Sequence, residues 1–82
     1  MAEYFKLIAT IPLPGSAPVA ELFTADGMPI GTWMGMPRKL KVSQLDQWAR
    51  EVRPGARPWI GHESRINENG ATVHIYRYIV ES

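Results

Sequence analysis

Two dipeptides, Asp26-Gly27 and Asn69-Gly70, constrain the fold of this 82-residue chain more than any other feature. Each lies between apolar runs. In that setting Asp-Gly and Asn-Gly are strong hairpin signals, because the residues of a tight two-residue turn need positive φ. The sequence therefore predicts two β-hairpins. Since Pro29 lacks an amide donor, we expect the first hairpin at an edge of the sheet.

The segment before the first hairpin alternates between two faces and predicts one more strand. One face is apolar throughout and consists of Phe5, Leu7, Ala9 and Ile11. Prolines, Gly15 and Ser16 are then concentrated in positions 12–18. This density of turn-forming residues predicts a connector between two extended segments.

One segment has the period of an amphipathic helix. Its apolar stripe comprises Leu45, Trp48, Ala49 and Val52. We expect Ser43 to cap the N-terminus and Asp46 to complement the positive end of the helix dipole. Three turns are too few to be stable alone, so the stripe must pack on the sheet.

These elements predict a single α+β domain spanning residues 1–82. The expected order is three strands, the helix and two further strands. They would form a mostly antiparallel sheet of about five strands with the helix packed on one face.

A two-residue loop at Asn69-Gly70 also predicts the faces of the second hairpin. Ile66 would lie opposite Val73 and Ile60 opposite Ile79, and this apolar side is expected to pack on the helix. The other side would be open to solvent and carry Trp59, Glu63, Arg65, Tyr76 and Tyr78.

Several kinds of chemistry are disfavoured. The absence of cysteine excludes disulfides, thiol chemistry and cysteine-ligated metals. His62 and His74 fall on opposite faces in the predicted register, so we do not expect them to share a metal ion. No carboxylate is paired with another by its spacing, and no phosphate-binding loop occurs. We therefore expect neither an enzyme nor a bound cofactor.

The net charge and the hydropathy of the sequence indicate which kind of partner and which cellular compartment to expect. Nine Lys and Arg against eight Asp and Glu give a net charge of +1. Dedicated nucleic-acid-binding domains carry a larger surplus, because neutralised phosphates supply most of their affinity. The longest apolar run, residues 7–13, is shorter than the roughly 18 residues of a membrane helix, and the residues before it lack a signal-peptide start. We expect a cytoplasmic protein that does not bind membranes.

Large apolar side chains are numerous for a small domain, with three Trp, three Tyr and four Met. One helix covers only one face of a sheet, and such residues are enriched at protein interfaces. We interpret the chain as a non-catalytic protein-binding module. By size and elimination, it would be an inhibitor or regulator of the kind that a phage or mobile element encodes to block a host protein.

Two alternatives stay open. The same face could bind single-stranded nucleic acid by base stacking, or it could bind a second copy of the chain. The expected partner-binding residues are Trp59, Glu63, Arg65, Tyr76, Tyr78, Arg38 and Lys39.

Overall fold

The computed structural model describes residues 1–81, which form an antiparallel sheet of six strands and one helix. The elements are β1 (Ala2–Ile11), β2 (Val19–Thr24), β3 (Pro29–Met34), α1 (Val42–Val52), β4 (Arg57–Pro58), β5 (Glu63–Ile66) and β6 (Thr72–Glu81). The strand order is β3-β2-β1-β6-β4, and β5 also pairs with β6. The predicted α+β class is confirmed, and the hairpin that contains Pro29 lies at a sheet edge as expected.

The sheet has one strand more than predicted because the edge strand beside β6 is interrupted. β4 pairs with β6 at Arg57 and Ile79, and β5 pairs with β6 at Glu63 and Ile75. Six residue steps on one side therefore face four on the other. The Trp59 amide still donates to the Arg77 carbonyl, so the two extra residues lie in segment 60–62, which bulges out of the ladder.

Both hairpins form where the sequence predicts them, but each loop has three residues instead of two. The Gly27 amide donates to the Thr24 carbonyl and the Gly70 amide to the Asn67 carbonyl, each at 3.0 Å. Gly27 and Gly70 have φ of +92° and +79°, and within residues 1–81 only glycines adopt positive φ. This is a type I turn followed by a left-handed residue, which glycine adopts without steric cost.

The longer loop changes the register of the second hairpin. Asn67 Oδ1 accepts a hydrogen bond from the Ala71 amide at 3.0 Å, which stabilises the three-residue loop. Ile66 consequently lies opposite Thr72 and not, as predicted, opposite Val73. Because side chains alternate along a strand, this one-residue slip separates β5 side chains from the β6 side chains expected beside them.

The helix covers the opposite face of β6 from the one predicted. Phe5 and Leu7 of β1 lie directly opposite Tyr78 and Tyr76 of β6. Directly opposed residues share a face, and Phe5 and Leu7 form the core with Leu45 of α1. The two tyrosines therefore lie on the helix side. The residues expected there lie on the other face, where they are nevertheless buried: Val73, Ile75 and Ile79.

The start of α1 also differs from the prediction. Lys41, not Ser43, is the N-cap residue. The Gln44 amide donates to the Lys41 carbonyl, and the Gln44 side chain accepts from the Lys41 amide, both at 2.9 Å. Leu45 and Ala49 are buried, as the apolar stripe predicts. Within the described part of the chain, no helix has the length and apolar character needed to cross a membrane.

Candidate functional site

The seven predicted partner-binding residues do not form one surface. Tyr78 is 1 % exposed and belongs to the core, and its hydroxyl donates a 2.6 Å hydrogen bond to Asp46 Oδ1. Tyr76 is half-buried on the same face, with its ring stacked on His62 at 4.7 Å between centroids. The prediction that these tyrosines lie on the open side was wrong, because their pairing with β1 places them under the helix.

Arg38 has a structural role within the chain. Its guanidinium donates to the carbonyl oxygens of Pro12, Leu13 and Ser16, at 2.6, 2.9 and 2.9 Å. It therefore ties the connector after β1 to the segment before α1. The neighbouring Lys39 is exposed in that segment.

The other three predicted residues lie together on the sheet face opposite α1, which we call the open face. Trp59 is 47 % exposed, and its ring centroid is 4.6 Å from that of Tyr4. Glu63 Oε1 is 3.3 Å from Arg77 Nη2. Arg65, two residues after Glu63 in β5, projects to the same side and is exposed.

The open face contains a cavity of about 450 Å³. Besides Phe5 of the core, its aromatic and cationic lining residues are Tyr4, Phe23, Trp59, Lys6 and Arg77. The volume falls in the range of roughly 300–1,000 Å³ that is usual for ligand sites. Of these residues, only Trp59 was expected from the sequence to be a site residue. The alternation along β1 already placed Tyr4 and Lys6 away from its apolar face, but nothing in the sequence showed that Trp59 packs against Tyr4.

Lys6 lies on the central strand of the three that cross the cavity, between an aromatic residue and a second cation. It is directly opposite Phe23 of β2 on one side and Arg77 of β6 on the other. Arg77 forms an ion pair with Glu63, whereas within residues 1–81 the Lys6 side chain has neither an ion pair nor a hydrogen bond. The cavity therefore combines apolar rings with one cation that the fold itself does not neutralise.

A second cluster, on the helix side, contains His62, His74 and Tyr76. The imidazole centroids of His62 and His74 are 5.7 Å apart, so the prediction of opposite faces was wrong. Burial lowers the pKa of His74, and the charge of His62 lowers it further. His74 Nδ1 is buried without a hydrogen-bond partner. Within residues 1–81, no three His, Asp or Glu side chains are grouped so that they could hold a metal ion.

Comparison with known proteins gave no matching family, no similar curated protein and no similar solved structure.

Proposed function

We propose that this chain is a non-catalytic module that binds another protein through the open face. The observation that carries the proposal is the exposed ring pair beside the cavity, in which Tyr4 is 41 % and Trp59 47 % exposed. Tyrosine and tryptophan often dominate binding energy at protein interfaces, because they bury a large area at a low cost in side-chain entropy.

An inhibitor or regulator is the role that best suits such a module. It would act by covering a surface of its partner, which requires a complementary face and no reacting groups. We place it in the cytoplasm, encoded by a phage or mobile element and directed against a host protein. The absence of cysteine supports the cytoplasmic part of this proposal.

Single-stranded nucleic acid is the second candidate, because aromatic rings beside cations form a base-stacking platform. The carboxylates on the open face oppose it. Glu63 forms an ion pair with Arg77, and Glu81 forms one with Arg57 at 2.6 Å. A third carboxylate, Glu21 of β2, lies on the same face. A strand with one phosphate per nucleotide would meet these carboxylates as well as the cations, which weakens its binding.

Affinity capture from a lysate of the source organism, followed by binding of the purified partner, tests the proposal. We compare the wild-type chain with Trp59→Ala and with the matched surface variant Gln47→Ala, which lies on the exposed side of α1. We expect one protein to bind the wild type and Gln47→Ala and to be lost with Trp59→Ala. Circular dichroism of Trp59→Ala should match the wild type, because Trp59 lies outside the core.

Three results would contradict the proposal. The first is identical capture by the wild type and Trp59→Ala. The second is tight binding of a single-stranded oligonucleotide that weakens steeply with salt. The third is a dimer in sedimentation experiments that dissociates on Trp59→Ala, which would assign the face to a second copy of the chain.

A further inference from the structure

The pairing of Lys6 with Arg77 places two cations side by side on the open face. The two residues lie directly opposite each other on neighbouring antiparallel strands. Like charges in that arrangement are destabilising. Glu63 forms an ion pair with Arg77, whereas within residues 1–81 Lys6 forms no ion pair. A bound anion would turn this unfavourable arrangement into a favourable one.

The residues around the two cations indicate which chemical group should adjoin such an anion. Phe23 lies directly opposite Lys6 on the other side, and Tyr4 lies two residues before Lys6 on the same face. Trp59 continues the wall beside Arg77, since its amide donates to the Arg77 carbonyl at 3.0 Å. The cations therefore adjoin an apolar cavity that can hold a large side chain.

The carboxylates on the open face favour a ligand with one anionic group over a ligand with a row of them. Glu21 pairs with Ile8, one row away from Lys6 on the open face, and Glu63 lies beside Arg77. A single carboxylate at Lys6 and Arg77 adds only one negative charge to this group. A chain of phosphates crossing the face would add several beside Glu21 and Glu63.

We propose that the cavity binds a segment of the partner protein in which a bulky apolar residue adjoins an acidic residue. The apolar side chain enters the cavity between Tyr4, Phe23 and Trp59, and the carboxylate accepts hydrogen bonds from Lys6 and Arg77. This inference rests on the proposed protein-binding function and specifies the chemistry of the partner.

Two-dimensional NMR of the full chain tests the inference with two peptides. The first is acetyl-Gly-Trp-Glu-Gly-amide, and the second has Gln in place of Glu. We expect saturable shifts of the amides of residues 4–8, 23–25 and 77, with the Gln peptide about tenfold weaker, because it loses a charge-assisted hydrogen bond. Lys6→Gln should reduce that difference, because only Arg77 then remains to bind the carboxylate, whereas the control Lys41→Gln, an exposed cation at the N-cap of α1, should retain it in full.

A stability measurement completes the test. Urea unfolding of Lys6→Gln should give a stability equal to or above that of the wild type, because the like-charge contact is relieved while binding is weakened. A clear loss of stability would overturn the inference by assigning Lys6 a structural role.

Other outcomes separate this inference from the proposed function. Equal binding of the two peptides, shifts outside the cavity or no saturable shift at millimolar peptide overturns the inference. If Trp59→Ala still loses the captured partner, the open face remains a protein interface and only its anchor chemistry is wrong. A single-stranded oligonucleotide that shifts the same amides more strongly than the Glu peptide overturns both.

Discussion

The Tyr78 hydroxyl donates a 2.6 Å hydrogen bond to Asp46 Oδ1, which joins the central strand β6 to α1. Burial raises the pKa of Tyr78, and the hydrogen bond to Asp46 raises it further. Asp46 was expected to complement the start of the helix, but it makes a tertiary contact instead. This contact explains how a tyrosine with a polar hydroxyl is accommodated in the core.

Tyr78→Phe should lower the free energy of unfolding by about 1–2 kcal/mol, because the Asp46 carboxylate loses its buried donor while the ring still fills the core. Urea denaturation followed by circular dichroism measures the change. Tyr4→Phe is the matched control and should be neutral, since the Tyr4 hydroxyl lies on the exposed face. Equal stabilities of Tyr78→Phe and the wild type would contradict the structural role of this hydrogen bond.

The raised pKa of Tyr78 predicts that the fold loses stability at alkaline pH. Its pKa is raised in the folded state above the unfolded value of about 10, so the folded chain holds the phenol proton more tightly. The resulting stabilisation is fully present below pH 10 and is lost as the pH rises further. Urea midpoints at about pH 8 and about pH 11 should therefore differ less for Tyr78→Phe than for the wild type. A similar pH dependence for both chains would refute the assignment.

The lowered pKa of His74 predicts that the fold loses stability at acidic pH. Burial, and then the charge of His62, lowers its pKa in the folded state, so the unfolded chain binds the proton more readily. The corresponding stabilisation is present above the unfolded pKa of about 6.5 and is lost as the pH falls through the folded pKa. NMR titration of the imidazole protons should place the His74 pKa below 6.5. His74→Gln should reduce the fall in stability between pH 6.5 and pH 5.

Gly31 is required where β3 approaches α1. A Cβ at this position would lie 2.9 and 3.1 Å from the two Cγ atoms of Val52, which are too close to the helix backbone to move freely. Gly31→Ala should therefore lower the free energy of unfolding by about 1–3 kcal/mol. The double variant Gly31→Ala/Val52→Ala should lose less free energy of unfolding than the sum of the losses in the two single variants. Strict additivity, measured by urea denaturation, would show that the two positions do not clash.

Arg38→Lys should loosen the connector after β1. A lysine ammonium keeps the charge but cannot reproduce the planar fork that reaches the carbonyls of Pro12, Leu13 and Ser16. We expect faster hydrogen exchange at the Ser16 amide, whose 3.4 Å bond to the Leu13 carbonyl closes this loop. Exchange in β6 should be unchanged. Unaltered exchange at Ser16 would mean that Arg38 does not hold the loop.

Part of the candidate site followed from the sequence. Trp59, Glu63 and Arg65 were expected on one exposed face, and they lie on the open face. The contribution of β1 and the position of Arg77 were not predicted, because they depend on how β1 pairs with β6. Lys6 and Arg77 are more than 70 positions apart in the chain, and no local sequence pattern indicates that they pair.

Local chemistry determined where the chain turns, which segment is helical and that Pro29 lies at a sheet edge, since these depend on the φ preferences and spacing of neighbouring residues. Local hydrogen bonding also set the loop length at Asn67, whereas tertiary structure decided the face that α1 covers. An amide oxygen bonded to the Ala71 backbone added one loop residue, and pairing with Phe5 and Leu7 brought Tyr78 under the helix. In a strand with a period of two, a single residue of register decides which side chains are core and which are surface.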